Sequence, residues 1–318
     1  MYSPQSQHGM VEARIICTDL AGLKSQALGL VEAAGIIPDL RPLRFNALWR
    51  HIPTNFWLNP RWAVAEELFS APLPSVVIGA GGAGARVAAF LRGGDVRAVA
   101  IQHPRMALSR FDVVLAAQHD GITGSNVIVT RTALHRVTPQ RLAEAQAVWA
   151  PRFASLPRPL VAVLLGGSNG RYRFELDEAR RLTEALAEML RRGIGVMITP
   201  SRRTSVQAIS MMREALAPLG AYIWSFEGEN PYFGMLACAD AILVTADSVS
   251  MVSEAVATGA PVSLIRLPGK SARIGAFMDA LVQSGRVRNF AERLEMWNTT
   301  PVNDTEWAGQ ELRRRLGL

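Results

Sequence analysis

The sequence is poor in cysteine and has no long uninterrupted apolar run. Its 318 residues include two cysteines, Cys17 and Cys238, which lie in apolar stretches far apart in the chain. We predict that both are small buried thiols in a reducing compartment. No apolar run approaches the roughly 20 residues of a membrane-spanning helix, and the start of the chain lacks the apolar core of a signal peptide. We therefore expect a cytoplasmic protein, either free or peripheral at the inner face of the membrane.

Clustered metal ligands are also missing from the sequence. It has no Asp-x-Asp triad and no cluster of histidine and cysteine with zinc spacing. We expect no metal ion and no bound cofactor, so that arginines and helix N-termini would meet any charge on a leaving group. The histidines are dispersed, with His8 near the start, His51 in an aromatic segment and His135 after a short strand.

Basic residues outnumber acidic ones, and the net charge of +7 calls for an anionic partner. A diphosphate ligand, an anionic membrane surface and nucleic acid all fit that charge. The basic residues are scattered in short clusters, and neither a long basic arm nor a nucleic-acid-binding signature accompanies them. We therefore expect a diphosphate or a membrane surface as the partner, and no nucleic acid.

Short apolar runs alternate with amphipathic stretches along the whole chain. Clear strand patterns occur at 13–18 and 75–79 in the first half and at 160–165 and 241–245 in the second. Such alternation predicts an α/β fold, in which helices cover both faces of mostly parallel sheets.

A proline-rich stretch divides this pattern into two halves. Residues 151–159 contain three prolines, and we place there the linker between two Rossmann-like domains, 1–155 and 156–318. Two such domains leave a cleft between them. Ligands of open α/β sheets bind beyond the carboxyl ends of the strands, so we expect the chemistry in the loops that follow strands.

One such loop, Gly79-Ala-Gly-Gly-Ala-Gly84, is a G-x-G-x-x-G pattern between a strand and a helix. In dinucleotide-binding proteins this pattern lets backbone amides and a helix N-terminus cradle a pyrophosphate. The acid that would hold a ribose about 20 residues later is absent, since the sequence there reads Val99-Ala-Ile-Gln-His103. Three interpretations stay open: a tight turn with close packing, a site for a phosphate or an acceptor, and an NAD site.

Two loops of the second half combine glycine, hydroxyl and cationic residues. The loop after the strand at 160–165 offers donors to a diphosphate or a sugar from Gly166, Gly167, Ser168 and Asn169. The loop after the strand at 194–199 suits an anion, through Ser201, Arg202 and Arg203. The alternative for each is a simple turn into a helix, although a helix start explains two positive charges poorly.

The strand at 241–245 leads into a polar loop and then a helix. Asp247 or Ser248 is a natural N-cap for this helix. Glu254 lies in its second turn among alanines and valines, where a buried carboxylate needs a donor partner. That partner is either the ribose diol of a nucleotide or an arginine such as Arg202.

This arrangement, Ser-x-x-x-Glu-Ala and later Gly-x-Pro-Val, resembles the donor site of GT-B glycosyltransferases. In those enzymes the helix acid holds the nucleotide ribose, and a glycine-rich loop faces the diphosphate. The resemblance implies the ribose role for Glu254 and a last helix, about 304–316, that packs back on the first domain. The predicted nucleotide-sugar site consists of Gly166, Gly167, Ser168, Asn169, Ser201, Arg202, Arg203, Asp247, Ser248, Ser250 and Glu254.

Several short motifs occur together along nearly the whole chain. They are Thr18-Asp-x-x-Gly22, Gln26-Ala-Leu-Gly-Leu30, the 79–84 loop, Gln102-His-Pro104, Phe111-Asp112, His119-Asp120, Gly166-Gly-Ser168, Ser201-Arg-Arg-Thr204 and Glu229-Asn-Pro-Tyr232. This set resembles the bacterial relatives of the plant mitochondrial-fission protein whose loss elongates mitochondria. The resemblance implies a GT-B-like architecture. It also implies an alternative to an enzyme, since the plant member acts as an adaptor that recruits a dynamin-like protein.

Sugar transfer with inversion requires a base that deprotonates the acceptor hydroxyl. His119 and His103 each follow a strand of the first half, and Asp120 is placed beside His119 in sequence. Asp19, after the first strand, is another candidate. We predict the base among these three residues, with satisfied structural histidines as the alternative.

The stretch from Leu43 to Trp62 mixes aromatic residues with arginines. Exposed, it suits the interface of an anionic membrane, and a lipid-linked acceptor would fit that location. The alternative is a partly buried excursion packed on its own domain. The sequence thus predicts a metal-independent glycosyltransferase-like protein that uses a nucleotide-diphosphate sugar and a membrane-associated or lipid-linked acceptor. Its alternative is a non-catalytic GT-B-like adaptor.

Overall fold

The computed structural model describes residues 11–318, apart from the side chains of Arg50 and Asn55. Residues 1–10, and with them His8, lie outside the described residues. The strands of the described range are β1 (Glu12–Cys17), β2 (Ile37–Pro42), β3 (Val76–Ala80), β4 (Arg97–Ile101), β5 (Val113–Ala117), β6 (Val127–Thr130), β7 (Leu160–Leu165), β8 (Gly195–Pro200), β9 (Tyr222–Ile223), β10 (Ala241–Thr245), β11 (Val262–Ile265) and β12 (Val287–Asn289). Its α-helices are α1 (Ala21–Ala33), α2 (Pro60–Ala63), α3 (Gly81–Leu91), α4 (Pro139–Trp149), α5 (Leu176–Arg191), α6 (Val206–Leu216), α7 (Tyr232–Cys238), α8 (Val249–Val256), α9 (Ala272–Gln283) and α10 (Thr305–Leu316).

Contacts divide the chain into two compact units. The first extends to Arg136 and also takes in Asp304–Leu318, and the second is Val137–Asn303. Helix α10 therefore belongs to the first unit, where it packs on α1. The two helices approach closely because Gly309 has no side chain at a point where a Cβ would overlap Ala33.

The boundary between the units lies at 136/137 rather than at 155, where the sequence analysis placed it. Helix α4 packs against α7 of the second unit. The ring of Trp149 fills the space that a Cβ at Gly234 would occupy. The prolines of 151–159, which suggested a linker, lie between α4 and β7 within the second unit.

The first unit contains a six-stranded parallel sheet in the order β2-β1-β3-β4-β5-β6. Strand β2 was not predicted, because it contains Pro38 and Pro42. It lies at the edge of the sheet and pairs in parallel with β1. An edge strand tolerates proline because one of its sides makes no ladder hydrogen bonds.

The second unit contains a six-stranded parallel sheet in the order β12-β11-β10-β7-β8-β9. Strands β7, β8 and β10 are buried along their whole length, as expected for a sheet covered on both faces. Parallel strands share one carboxyl edge, so the loops that follow these three neighbours lie side by side. The predicted α/β fold with two parallel sheets is confirmed.

Both cysteines are buried thiols outside any disulfide. Among residues 11–318 no helix is both long enough and apolar enough to cross a membrane.

Candidate functional site

The loops after β7, β8 and β10 are bonded to one another at the carboxyl edge of the second sheet. The backbone N–H of Gly166, after β7, donates to the hydroxyl of Thr245 at the end of β10 over 2.7 Å. The hydroxyl of Ser201, after β8, donates to the carbonyl of Gly166 over 2.8 Å. The structure therefore brings together the three loops in which the sequence analysis placed the nucleotide-sugar site.

Asp247 is the buried centre of this junction. Its carboxylate forms an ion pair with the Arg203 guanidinium and accepts the backbone N–H of Gly167 over 3.3 Å. The side chain is inaccessible to solvent, and within residues 11–318 its Oδ1 has no hydrogen-bond partner. An unsatisfied buried carboxylate oxygen is costly, and it marks a position at which a further donor would be stabilising.

The two glycines after β7 are required by these contacts. A Cβ at Gly166 would overlap the Asp247 carboxylate, and a Cβ at Gly167 would overlap the backbone carbonyl of Arg203. Their predicted role was backbone contact with a diphosphate. The structure adds a packing requirement that the sequence pattern did not reveal.

The polar side chains of the first two loops bond within the protein. The Ser168 hydroxyl accepts the backbone N–H of Phe174 over 2.9 Å, and Asn169 Oδ1 accepts two backbone N–H groups of the same loop. Ser201 accepts the backbone N–H of Arg203 over 3.2 Å. These residues, predicted as ligand contacts, hold the loops in shape, so any ligand contact from them would use remaining lone pairs or backbone groups.

Helix α8 begins at this edge and offers an anion-binding end. Ser248 is its N-cap and accepts the backbone N–H of Met251 over 3.3 Å. Ser250 is half-buried in the first turn, which contains no acidic residue. The uncompensated N–H groups and the helix dipole therefore favour a negatively charged group here.

Glu254 lies one turn further along α8 and is 7% exposed. The hydroxyl of Tyr232, at the start of α7, donates to Glu254 Oε2 over 2.6 Å. Burial, and next the charge of Glu254, raise the pKa of the Tyr232 hydroxyl well above its usual range, so Tyr232 remains a donor. This partner was not predicted from the sequence, although Tyr232 lies in the Glu229-Asn-Pro-Tyr232 motif.

The segment between β9 and α7 begins at the same edge, because β9 pairs in parallel with β8. It leads to Tyr232, whose hydroxyl contacts Glu254. Phe226 in this segment is 45% exposed, has a φ of 67° and lies 4.9 Å from the Trp224 ring between centroids. Strand β9 ends at Ile223, before both of these aromatic residues. An exposed aromatic ring here can stack on a planar base.

The predicted catalytic bases lie in the first unit, and each follows a strand. His103 follows β4, and its Nδ1 accepts the backbone N–H of Arg105 over 3.0 Å. His119 is half-buried in a 3-10 turn after the neighbouring strand β5. Asp19 follows β1, separated from β4 by β3, and forms an ion pair with Lys24. The two histidines thus follow adjacent strands, and Asp19 lies further along the same edge.

Close packing accounts for the glycine loop after β3. A Cβ at Gly79 would overlap the carbonyl of Gly84, and a Cβ at Gly84 would overlap the carbonyl of Ile16 in β1. Gly81 has a φ of 72°, in the left-handed region that favours glycine. The tight-turn interpretation therefore explains these three glycines without a ligand. Within the described range, no three histidine, cysteine, aspartate or glutamate side chains are grouped as metal ligands.

Comparison with solved structures defines the fold class. The UDP-GlcNAc 2-epimerase of Methanocaldococcus jannaschii has a TM-score of 0.60 at 14% identity, covering 96% of this chain and 99% of that one. The Neisseria meningitidis UDP-GlcNAc 2-epimerase bound to UDP-GlcNAc has a TM-score of 0.53 at 11% identity, covering 96% and 91%. The chain has the GT-B-like fold of such proteins.

Sequence similarity defines the family. The model of the family described as "Mitochondrial fission ELM1" matches residues 21–316 of the chain. The "Mitochondrial fission protein ELM1" of Arabidopsis thaliana is 34% identical in an alignment of 283 residues that covers 80% of this chain. An uncharacterized protein of Rickettsia prowazekii is 30% identical in an alignment of 197 residues that covers 59% of this chain. The chain belongs to the mitochondrial fission ELM1 family, and it spans 66% and 55% of the length of these two relatives.

Proposed function

We propose that the second unit binds the nucleotide-diphosphate part of a sugar donor, and that the protein transfers the sugar without a metal ion to a membrane-associated or lipid-linked acceptor. The observation that carries the proposal is Glu254, a buried carboxylate oriented by a tyrosine at the carboxyl edge of a parallel sheet. Solved proteins of the same fold, such as the Neisseria epimerase, were determined with UDP-GlcNAc bound.

The ribose diol suits Glu254 chemically. A carboxylate has about four lone-pair positions for hydrogen bonds, and a diol supplies two hydroxyl donors. Tyr232 fixes Oε2, which restricts the rotamers of the acid before a ligand arrives. A carboxylate that is already oriented loses less conformational entropy when a ligand binds to it.

Two features at the same edge suit the diphosphate, and a third suits the base. Arg202 and Arg203 bring two guanidinium groups to the loop after β8, and the Arg203 side chain is 44% exposed beside its contact with Asp247. The N-terminus of α8 adds uncompensated N–H groups. The exposed ring of Phe226 suits the base, since stacking on an aromatic ring tolerates any base.

The reaction that fits these groups is displacement with inversion. The predicted base, His119, His103 or Asp19, removes the proton of the acceptor hydroxyl. The acceptor oxygen bonds to the anomeric carbon as the bond from that carbon to the diphosphate oxygen breaks. The electron pair leaves with the diphosphate, where the arginines and the α8 N-terminus stabilise the charge.

Nucleotide titration tests the proposal. UDP, GDP, CMP, ADP and NAD would be titrated by thermal shift and calorimetry into the wild type, Glu254→Ala and Glu184→Ala. Glu184 is an exposed acid on α5 of the same unit and serves as the matched control. We expect one diphosphate nucleotide to stabilise the wild type and the control, with affinity about 10- to 100-fold weaker in Glu254→Ala. Equal affinity in Glu254→Ala and the wild type would contradict the ribose role, and a response to NAD alone would contradict the transferase.

A non-catalytic adaptor is the second candidate, and one observation favours it. Many polar side chains at this edge already form hydrogen bonds or ion pairs within the protein, as Asn169 and the Asp247–Arg203 pair do. A site satisfied in this way can serve to stabilise a scaffold. The description of the Arabidopsis relative as a mitochondrial fission protein is consistent with an adaptor. If the folded wild type responded to none of the nucleotides, that result would favour the adaptor.

A further inference from the structure

We propose that the segment from Phe45 to Trp62, here called the aromatic segment, is a docking surface that inserts apolar side chains into an anionic lipid bilayer. This inference extends the part of the proposed function that concerns a membrane-associated acceptor. It requires no nucleotide, so the two can be tested separately.

The aromatic segment is a folded excursion with an anchored base. Trp57 is 2% exposed, donates from Nε1 to the carbonyl of Ile52 over 3.2 Å and packs edge-to-face on Phe45. The amide of Asn46 donates to the carbonyl of Trp62 over 2.9 Å and so joins the two ends of the segment. The alternative interpretation of this stretch, a partly buried excursion packed on its own domain, therefore applies to the base of the segment.

The remainder of the segment presents large apolar side chains to water. Leu48 is 81% exposed, Phe56 70%, Leu58 89% and Trp62 56%. Phe56 and Leu58 flank the buried Trp57, so an anchored residue is followed and preceded by residues held outward. Exposed apolar side chains are ordinary when scattered, but four within fifteen consecutive residues mark an interaction surface.

The degree of exposure favours a bilayer over a protein groove. Side chains that are 70% to 89% exposed stand clear of the protein surface, and they do not line a hollow that a partner side chain could fill. A deformable apolar phase accommodates such projecting groups, and tryptophan is favourable at its polar boundary.

The charge of the segment selects an anionic membrane. Residues 40–65 contain Arg41, Arg44, Arg50 and Arg61 and no aspartate or glutamate. Arg41 and Arg61 form ion pairs with acids just outside this range, Asp39 and Glu66, and Arg61 also lies over the Phe69 ring at 4.6 Å. The segment itself contains Arg50 and Arg61 and no acidic residue, so its sequence has a net positive charge. Each cation near an anionic surface contributes modestly, and salt weakens that contribution.

Vesicle sedimentation tests the proposal with the full-length protein. Vesicles would be phosphatidylcholine alone or phosphatidylcholine mixed with phosphatidylglycerol, and no nucleotide would be present. The test variant is Phe56→Ser/Leu58→Ser. The matched control is Val206→Ser/Leu219→Ser, which removes two exposed apolar side chains from the second unit.

We expect the wild type and the control to sediment with the mixed vesicles, more weakly with phosphatidylcholine alone, and less at high salt. The test variant should bind the mixed vesicles at least about tenfold more weakly, with an unchanged unfolding temperature. Trp62 fluorescence, obtained by difference from Trp62→Phe, should shift to the blue on binding.

Several results would overturn the proposal: no sedimentation of the wild type, equal binding of the test variant, or equal binding to both vesicle types. Concentration-dependent self-association through the segment, without vesicle binding, would identify a protein interface instead. The nucleotide response of Phe56→Ser/Leu58→Ser should equal that of the wild type. A failure of nucleotide binding would therefore reject the proposed donor site and leave the vesicle result standing.

Discussion

The two sheets carry polar loops at their carboxyl edges and use them differently. In the second unit the loops are bonded to one another around buried carboxylates, those of Asp247 and Glu254. In the first unit His103 bonds to its own turn and Asp19 is an exposed partner of Lys24. A buried carboxylate is stable only when surrounding groups fix it, so the second edge is rigid and specific. The side chains of the first edge can therefore change at little cost in stability.

The loop glycines of the second unit give the sharpest test of this rigidity. Gly167→Ala should destabilise that unit by about 3 kcal/mol, because the added Cβ overlaps the Arg203 carbonyl. Gly170→Ala, three residues further on, is the matched control, since a Cβ there has nothing within 4 Å. Denaturant unfolding measures both variants. If Gly167→Ala were as stable as Gly170→Ala, the junction of loops would not be rigid.

The first unit should respond to acid through the buried side chain of His135. Burial lowers the pKa of His135 from 6.5 to about 4, against a smaller opposing effect of the Asp304 charge. Between these values the unfolded chain binds a proton that the folded chain does not, so stability is lost as the pH falls from 6.5 towards 4. The expected loss is about 3 kcal/mol.

Hydrogen exchange at a series of pH values would locate that loss. Protection should fall in the first unit of the wild type and fall less in His135→Gln, whereas His51→Gln, at an exposed position, should behave as the wild type. An identical pH profile in His135→Gln would show that another group is responsible.

The hydrogen bond between Tyr232 and Glu254 should make a smaller contribution to stability and to nucleotide affinity. Tyr232→Phe removes one hydrogen bond to a charged acceptor and should weaken nucleotide affinity about fivefold, with a stability cost of about 1 kcal/mol. Tyr222→Phe, in the same unit, is the control. A loss in Tyr232→Phe as large as in Glu254→Ala would mean that the tyrosine itself contacts the ligand.

The predicted bases should have the smallest effect on stability. His119→Ala and His103→Ala each change a half-buried side chain in a turn and should alter the free energy of unfolding by about 0.5 kcal/mol or less. If one of them is the base, sugar transfer should fall about 100-fold or more while nucleotide affinity is retained. Unchanged transfer in both variants would direct attention to Asp19.

Local patterns predicted the repeated strands and helices well, because buried parallel strands such as β7 are continuous apolar runs between turn residues. Strand β2 was missed because its prolines are tolerated only at an edge, and edge position is a property of the whole sheet. The boundary was misplaced because the contact between Trp149 and Gly234 is long-range, whereas the prolines that suggested a linker are local.

The proximity of the three loops could be predicted from the sequence, but the individual contacts among their side chains could not. The carboxyl-edge rule places the loops after β7, β8 and β10 together. It does not say that the Asn169 side chain closes its own turn or that Asp247 takes the Arg203 guanidinium. Tyr232, the partner of Glu254, lies 22 residues earlier in the chain. The two residues meet only through the tertiary packing of α7 and α8, which local sequence spacing does not predict.

The return of α10 to the first unit has a consequence for how the chain is made. The second unit is an uninterrupted piece of chain inserted into the first, and its two ends are adjacent, since the Asn303 amide donates to the Val137 carbonyl over 3.2 Å. During synthesis the inserted unit is complete once Asn303 has emerged, whereas the unit begun earlier still lacks its closing helix. The unit that begins second in the chain can therefore finish folding first. Removal of residues 304–318 should uncover apolar surface of the first unit and leave the fold of the second unit unchanged.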